Sequence, residues 1–368
     1  MEGNPFASWY GSLSIESKSF IYENDVLFNA DKTIIIAYRA DDESYNIPNT
    51  VTSIGNAAFY ECKSLTSINI PDSVTSIKNW AFDGCKSLTT INIPDSVTSI
   101  GNRAFDGCSS LASINIPDSV TSIGYSAFSG CESLTSINIP NSVTSIGGGA
   151  FAECKSLTTI NIPDSVTNIG YGAFDSCSAL ISINIPNSVT KMAENPFVGW
   201  YGTLHNESKS FIYENDVLFN ADKTIIIAYR TDDELYNIPD SVTSIGNSTF
   251  DKCKSLTNIN IPDSVTSIGD GAFDECKSLT NINIPDSVTS IGDSAFYGCE
   301  SLTSINIPNS VKSIGHSAFK ECKSLTCINI PDRVTSIENS AFYGCKNLNP
   351  QIKNDIIKRF GTGIFSII

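Results

Sequence analysis

The chain has 368 residues, a formal net charge of −16 and 17% charged residues, with a pI near 4.5. That balance argues against nucleic acid as a partner, because affinity for phosphates rests on clustered lysine and arginine. No apolar run approaches the roughly 18 residues that a membrane span needs.

In chain order, the start "MEGNPFASWY" lacks the basic-then-apolar segment of a signal peptide. "GNPF" opens in the middle of a pattern that recurs later, so the chain reads as cut from something longer. From Asn4 runs "NPFASWYGSLSIESKSFIYENDVLFNADKTIIIAYRADDESYNIP". Within it "SFIY", "VLF" and "TIIIAYR" are β-rich runs, separated by turn-forming "EN-D" and "NADK". The segment predicts a three-stranded meander that leaves the rest of the fold and returns to it. A near-copy begins at Asn195, 191 residues later, and returns at "LYNIP".

Between and after the two modules an Ile-Pro pair recurs every 23 residues. It falls at Pro48, Pro71, Pro94, Pro117, Pro140, Pro163 and Pro186, and again from Pro239 through Pro262, Pro285, Pro308 and Pro331. A fixed period in this range marks a solenoid, in which each coil contacts only its neighbours. In one unit, "LTSINI" points Leu65, Ile68 and Ile70 inward and Thr66, Ser67 and Asn69 outward, a short strand. Pro71 ends the pairing and "PDS" makes a turn. "VTSI" is a second extended piece, with Val74 and Ile77 inward. In "AFDGC", Ala81, Phe82 and Cys85 share one face of a single helical turn. The glycine of "SIG" is present in nine units of twelve, with Lys78, Ala193 and Glu338 in the others. A positive φ is therefore not required there.

The ending departs from the repeat. In "NLNPQIKNDIIKRFG", Asn349 serves as N-cap, Pro350 as first helical residue and Gly361 as the close. Ile352, Ile356 and Phe360 fall on one face, and with "GIFSII" they read as a cap over the last coil. The expected division is an N-terminal repeat with its meander (1–47), repeats (48–193), a second meander module (194–238), repeats (239–346) and a helical cap (347–368).

The pattern "LTSINIPDSVTSIGNxAFxxC", the two modules and the "IKNDIIKRFG" ending resemble the BspA-like leucine-rich repeat family. These are surface proteins of bacteria and some parasitic protists, characterised mainly as adhesins. The resemblance implies a leucine-rich-repeat-like solenoid at the cell surface or secreted. It brings no ligand residues with it. The asparagine that usually caps the turn is replaced by serine, as at Ser73 and Ser96, so the usual asparagine ladder need not form.

Twelve cysteines invite a metal or disulfide reading. Eleven of them (Cys62, Cys85, Cys108, Cys131, Cys154, Cys177, Cys253, Cys276, Cys299, Cys322 and Cys345) share one repeat position. Equivalent side chains in a solenoid point the same way rather than at each other, and Trp9 and Trp200 fill the same column. Zinc would need paired spacing such as CxxC. A buried thiol ladder of small hydrophobes is the preferred reading, with Cys327 outward and accessible. The acidic column (Asp72, Asp95, Asp118, Asp164, Asp240, Asp263, Asp286, Asp332) supplies about one oxygen donor per coil, too dispersed for calcium. The two histidines, His205 and His316, lie in no nucleophile motif. No cofactor, metal or catalytic set is expected, and an enzyme ranks far behind.

Two candidate surfaces remain. The outward Thr-Ser-Asn ladder lacks the aromatic anchors of protein hot spots; it suits a repetitive glycan, more remotely ice, or is a plain spacer. The modules carry Tyr22, Tyr38, Arg39 and Tyr45, copied as Tyr213, Tyr229, Arg230 and Tyr236. These are binding candidates, although packing the meander against its own coil explains them equally well. The leading expectation is an adhesin-like monomer that recognises an extracellular protein, cell surface or glycan. The alternative is a structural stalk with no ligand of its own.

Overall fold

The computed structural model describes residues 3–7, 11, 13–192 and 194–366. The chain divides into two compact units, Met1–Ser208 and Lys209–Ile368. Each is a parallel solenoid whose coils follow the 23-residue period.

In the first unit, "SIN" and "TIN" segments stack in register as parallel strands. Ser67 lies opposite Thr90 and Ile68 opposite Ile91, and Ser113–Asn115 pairs with Ser136–Asn138. In Ser67–Asn69, Thr90–Asn92 and Ser113–Asn115 only the central isoleucine is buried, as alternation along a pleat requires. A second ladder is built from "SI" pairs: Ser76–Ile77 pairs with Ser53–Ile54 and with Ser99–Ile100.

The meander differs from expectation. Phe20–Glu23, Val26–Asn29 and Ile34–Tyr38 are antiparallel neighbours, but the third strand also pairs in parallel with Ser53–Ile54, Ile35 opposite Ile54. The meander therefore extends the second ladder instead of leaving it. Ile35 is as fully buried as Ile54 and supplies the side chain that a further coil would supply. The second unit repeats this arrangement with Phe211–Glu214, Val217–Asn220 and Ile225–Tyr229, the last pairing with Ser244–Ile245.

Among the described residues, the third edge of the coils holds no turn of helix. It is a run of hydrogen-bonded turns with two left-handed residues per coil, such as Trp80 (φ 56°) and Gly84 (φ 74°), or Ala57 (φ 55°) and Glu61 (φ 53°). Alternate amides reach the next coil: Ala57 N donates to Asn79 O at 2.9 Å, Phe59 N to Ala81 O at 2.8 Å and Glu61 N to Asp83 O at 2.7 Å. The others close local turns, as Cys62 N does to Phe59 O at 3.2 Å. A helical turn would spend all these donors within its own coil, so inter-coil bonding wins.

The glycine of "SIG" allows a close approach between coils, although Lys78 and Glu338 make the same inter-coil bond from this position. At Gly101, which lacks a positive φ, a Cβ would come within 2.6 Å of the Asn79 amide nitrogen in the preceding coil. Of its three replacements, Ala193 lies outside the described residues.

The serine of "PDS" takes over the bridging role that asparagine usually plays. Ser96 Oγ donates to Val74 O at 2.6 Å and Ser165 Oγ to Val143 O at 2.7 Å. Inside, phenylalanines stack from Phe59 through Phe197 with ring centroids 5.0 to 6.1 Å apart. In the second unit they run from Phe250 to Phe342 at 5.0 to 5.4 Å.

The second unit ends on the helix Pro350–Phe360, capped by the Asn349 side chain on Gln351 N and closed at Gly361 (φ 87°). Ile356 is buried, and Ile352 and Phe360 pack against the core. Arg359 donates to the carbonyls of Ile330 and Pro331, both at 2.8 Å. The short 3-10 helix Gly363–Phe365 then adds one more rung. Phe342 N donates to Ile364 O at 2.9 Å, and Phe365 stacks on Phe342 at 5.7 Å. No helix is long and apolar enough to cross a membrane among the described residues.

Candidate functional site

The module tyrosines separate into two groups. Tyr38 and Tyr229 are only 4% and 3% exposed. Tyr38 lies between Tyr45 and Phe59, with ring centroids 4.7 and 5.0 Å away; Tyr229 has the same relation to Tyr236 and Phe250 at 4.6 and 5.0 Å. These four tyrosines start the phenylalanine stack of their unit. Burial pushes the Tyr45 and Tyr236 hydroxyls up to about 12, so they stay neutral. Arg230 is also buried. Tyr38 and Tyr229 face the core because they end the strands Ile34–Tyr38 and Ile225–Tyr229, which belong to the solenoid, and Arg230 is buried just past the second of them.

Tyr22, Arg39 and Tyr213 remain half-buried at the surface. Tyr22 donates its hydroxyl proton to Asp25 at 2.7 Å, and Tyr213 does the same to Asp216 at 2.6 Å. Arg39 Nη1 donates to the Tyr22 hydroxyl at 3.2 Å, and Nη2 donates to the Gly11 carbonyl. Its guanidinium lies over the Phe6 and Tyr22 rings at 5.6 and 5.8 Å. Beside it is a cavity of about 310 Å³, whose lining includes Asp41, Tyr60, Cys62 and Lys63.

The thiol column is inward, with one exception. Cys85, Cys108, Cys131, Cys154, Cys177, Cys253, Cys276, Cys299, Cys322 and Cys345 are buried and unpaired by disulfides. Each Sγ–H points at a carbonyl of the preceding coil, as from Cys85 to Phe59 at 3.0 Å and from Cys154 to Phe128 at 3.2 Å. Burial raises these thiols, Cys177 and Cys345 to about 12. Cys62 is only half-buried. The module precedes it in place of an ordinary coil, and its Sγ is 4.0 Å from Tyr38 O, beside the cavity. Trp200 fills the same column, 1% exposed, its indole N–H donating to Leu180 O at 2.8 Å. Trp9 lies outside the described residues. Cys327 is exposed, opposite Ser304 on the strand face.

Several outward threonines spend their donors within the fold. Thr89 Oγ1 donates to Thr66 O at 3.2 Å, and Thr280 Oγ1 to Thr257 O at 3.1 Å. At these positions a ligand would meet methyl groups and hydroxyls already committed. The Asp72 column is exposed throughout, as are His205 and His316.

The sequence reading missed a third surface. Trp80, Tyr125 and Tyr171 are exposed on the turn edge of the first unit, within the repeats rather than the modules. The signal was present: each stands one or two residues past "SIG", "NIG" or "SIK", where the other copies carry small or polar residues.

With this geometry in place, the protein is a leucine-rich-repeat-like solenoid, and its sequence specifies which kind. Residues 38–137, 103–204 and 229–349 match the BspA type leucine rich repeat region (6 copies), and the chain belongs to that family. It is 37% identical to a leucine rich cell surface protein from Faecalibacterium prausnitzii, covering 91% of this chain and 94% of that one, with a TM-score of 0.70. A leucine-rich repeat protein from Bacteroides ovatus is 31% identical over 96% and 99% of the two chains, TM-score 0.50. The pneumococcal vaccine antigen PcpA shares the fold at 21% identity, TM-score 0.59, over 96% and 100%. No curated protein matches the chain.

Proposed function

We propose that this protein is a cell-surface or secreted binding protein, adhesin-like, that recognises an extracellular protein, cell surface or glycan through its extended repeat surface. The observation that carries this reading is the 37% identity, over 91% of the chain, to a leucine rich cell surface protein. The chemistry of the repeat supports a binding role rather than catalysis. Its apolar side chains, its thiols and many of its turn serines and threonine hydroxyls are engaged by the neighbouring coil, which leaves the breaks in the pattern to meet partners. Tyr22, Arg39 and Tyr213 keep part of their surface exposed, and within the second module Tyr201 and Leu235 are more exposed still.

The test is binding of the purified, labelled full chain to epithelial cells and to immobilised fibronectin, laminin and mucin. Saturable binding to cells or to any of these supports the reading. A chain that binds none of them is not an adhesin, and that reading is wrong.

A further inference from the structure

We propose that the turn edge of the first unit, at Trp80, Tyr125 and Tyr171, is a stacking platform for an extended, uncharged polysaccharide of the β-1,4-linked type. It rests on the surface-binding reading only for access to such a ligand, and it lies apart from the modules. The three side chains are 41%, 51% and 38% exposed. They stand on alternate coils, Trp80 one residue further along its coil than the two tyrosines. Phenyl rings of successive coils in this stretch are 5.3 to 5.9 Å apart. Two coils thus span roughly 11 Å, close to two parallel-strand spacings and to a disaccharide unit in an extended β-linked chain. Aromatic faces carry partial negative charge and attract the C–H faces of pyranoses.

The residues between the rings fit a flat, polar polymer. The edge is two adjacent columns, one holding Tyr125, Gly148 and Tyr171 and the next holding Trp80 and Arg103. The Arg103 guanidinium lies 5.9 Å from the Tyr125 ring centroid and 3.7 Å from the Asp106 carboxylate. The patch therefore pairs its cation locally, on a chain of net charge −16, and its neutrality matches an uncharged sugar. Gly148 lets the Tyr125 ring lie close against the next coil: a Cβ there would come 3.3 Å from Tyr125 Cδ2. The edge has no aliphatic centre to desolvate, as a protein hot spot requires.

The column also shows what the aromatic displaces. Where it holds asparagine or aspartate, the side-chain oxygen accepts from the amide one coil on. Asn79 Oδ1 accepts from Asn102 N at 2.8 Å, and Asn102 Oδ1 from Tyr125 N at 2.9 Å. In the second unit the same ladder runs through Asn247, Asp270, Asp293 and His316. Tyrosine has no carbonyl oxygen to offer Gly148 N, so Tyr125 ends the ladder. A residue that gives up an inter-coil bond and exposes half its surface is explained by contact with something outside the fold.

The experiment uses the purified full chain, cellohexaose and chitohexaose followed by tryptophan fluorescence, and pull-down on insoluble cellulose and chitin. Saturable binding of at least one is expected, with Trp80→Ala and Tyr171→Ala each weakening it about tenfold. Tyr125→Asn is the decisive variant, because it rebuilds the ladder. It should weaken binding similarly while its melting temperature stays level or rises. Tyr201→Ala, exposed elsewhere in the unit, should bind normally. The proposal is overturned if no polysaccharide binds, or if Tyr125→Asn keeps full affinity. It is equally overturned if the edge variants lose only fibronectin binding, which would make the edge a protein contact. A chain that binds cells but no glycan removes this proposal alone, and a chain that binds glycan but no cell or matrix removes only the adhesin reading.

Discussion

The rings of Phe105 and Phe128 lie parallel to within 1°, their centroids 5.5 Å apart, although the residues are 23 positions apart in the chain. Both are completely buried. Each coil's largest side chain is thus solvated by the coils on either side of it, and the coil has no core of its own.

Phe128→Ala removes a ring flanked by Phe105 and Phe151. It should cost about 3–5 kcal/mol, as buried aromatic truncations do. Urea denaturation followed by circular dichroism measures it, and a loss below about 1 kcal/mol would remove this column from the core.

The end of the stack should be sensitive as well. Truncation after Cys345 removes the helix, the Arg359 bonds to Ile330 and Pro331 and the Phe365 rung. The bared face around Phe342 should associate end to end, read as a rise in mass by light scattering. A truncated chain that stays monomeric and equally stable would make the tail a mere appendage.

Stability should fall as pH rises through the mildly acidic range. Burial raises Asp83 to about 6 and Asp274 to about 7, and Asp274 Oδ1 is buried without a hydrogen-bond partner. Both carboxyls bind protons more tightly folded than unfolded. Their cost is therefore absent below about pH 4 and fully imposed above about pH 7. The melting temperature should be higher at pH 5 than at pH 8, and Asp274→Asn should raise the pH 8 value and shrink the difference. Equal melting temperatures for Asp274→Asn and the parent at pH 8 would contradict this.

Much of the fold is legible in the sequence because the 23-residue period repeats every constraint. Ile68 and Ile91 announce the same inward slot, and the Asn349-Pro350 start and Gly361 stop frame the final helix. What escapes is whatever depends on the neighbouring coil. "AFDGC" has the spacing of a helical turn, yet its amides bond across coils, a choice no single repeat records. Tyr38 resembles a loop tyrosine until Ile35 is found paired with Ile54, which makes its strand part of the solenoid. Trp80, Tyr125 and Tyr171 were hidden for a different reason. In a nearly uniform repeat, deviations of one residue read as noise until the coils are stacked and the deviations fall on one edge.

The central claim is that the repeated phrase is built for stacking, with its thiols serving as small buried groups. Counting thiols before and after unfolding tests it most directly, using a chromogenic disulfide reagent without reductant. Twelve free thiols are expected in denaturant. In the native state only Cys327 and, more slowly, Cys62 should react, because buried high-pKa thiols are inert. Recovery of six or fewer thiols from the unfolded chain, or rapid native reaction along the whole column, would contradict the account.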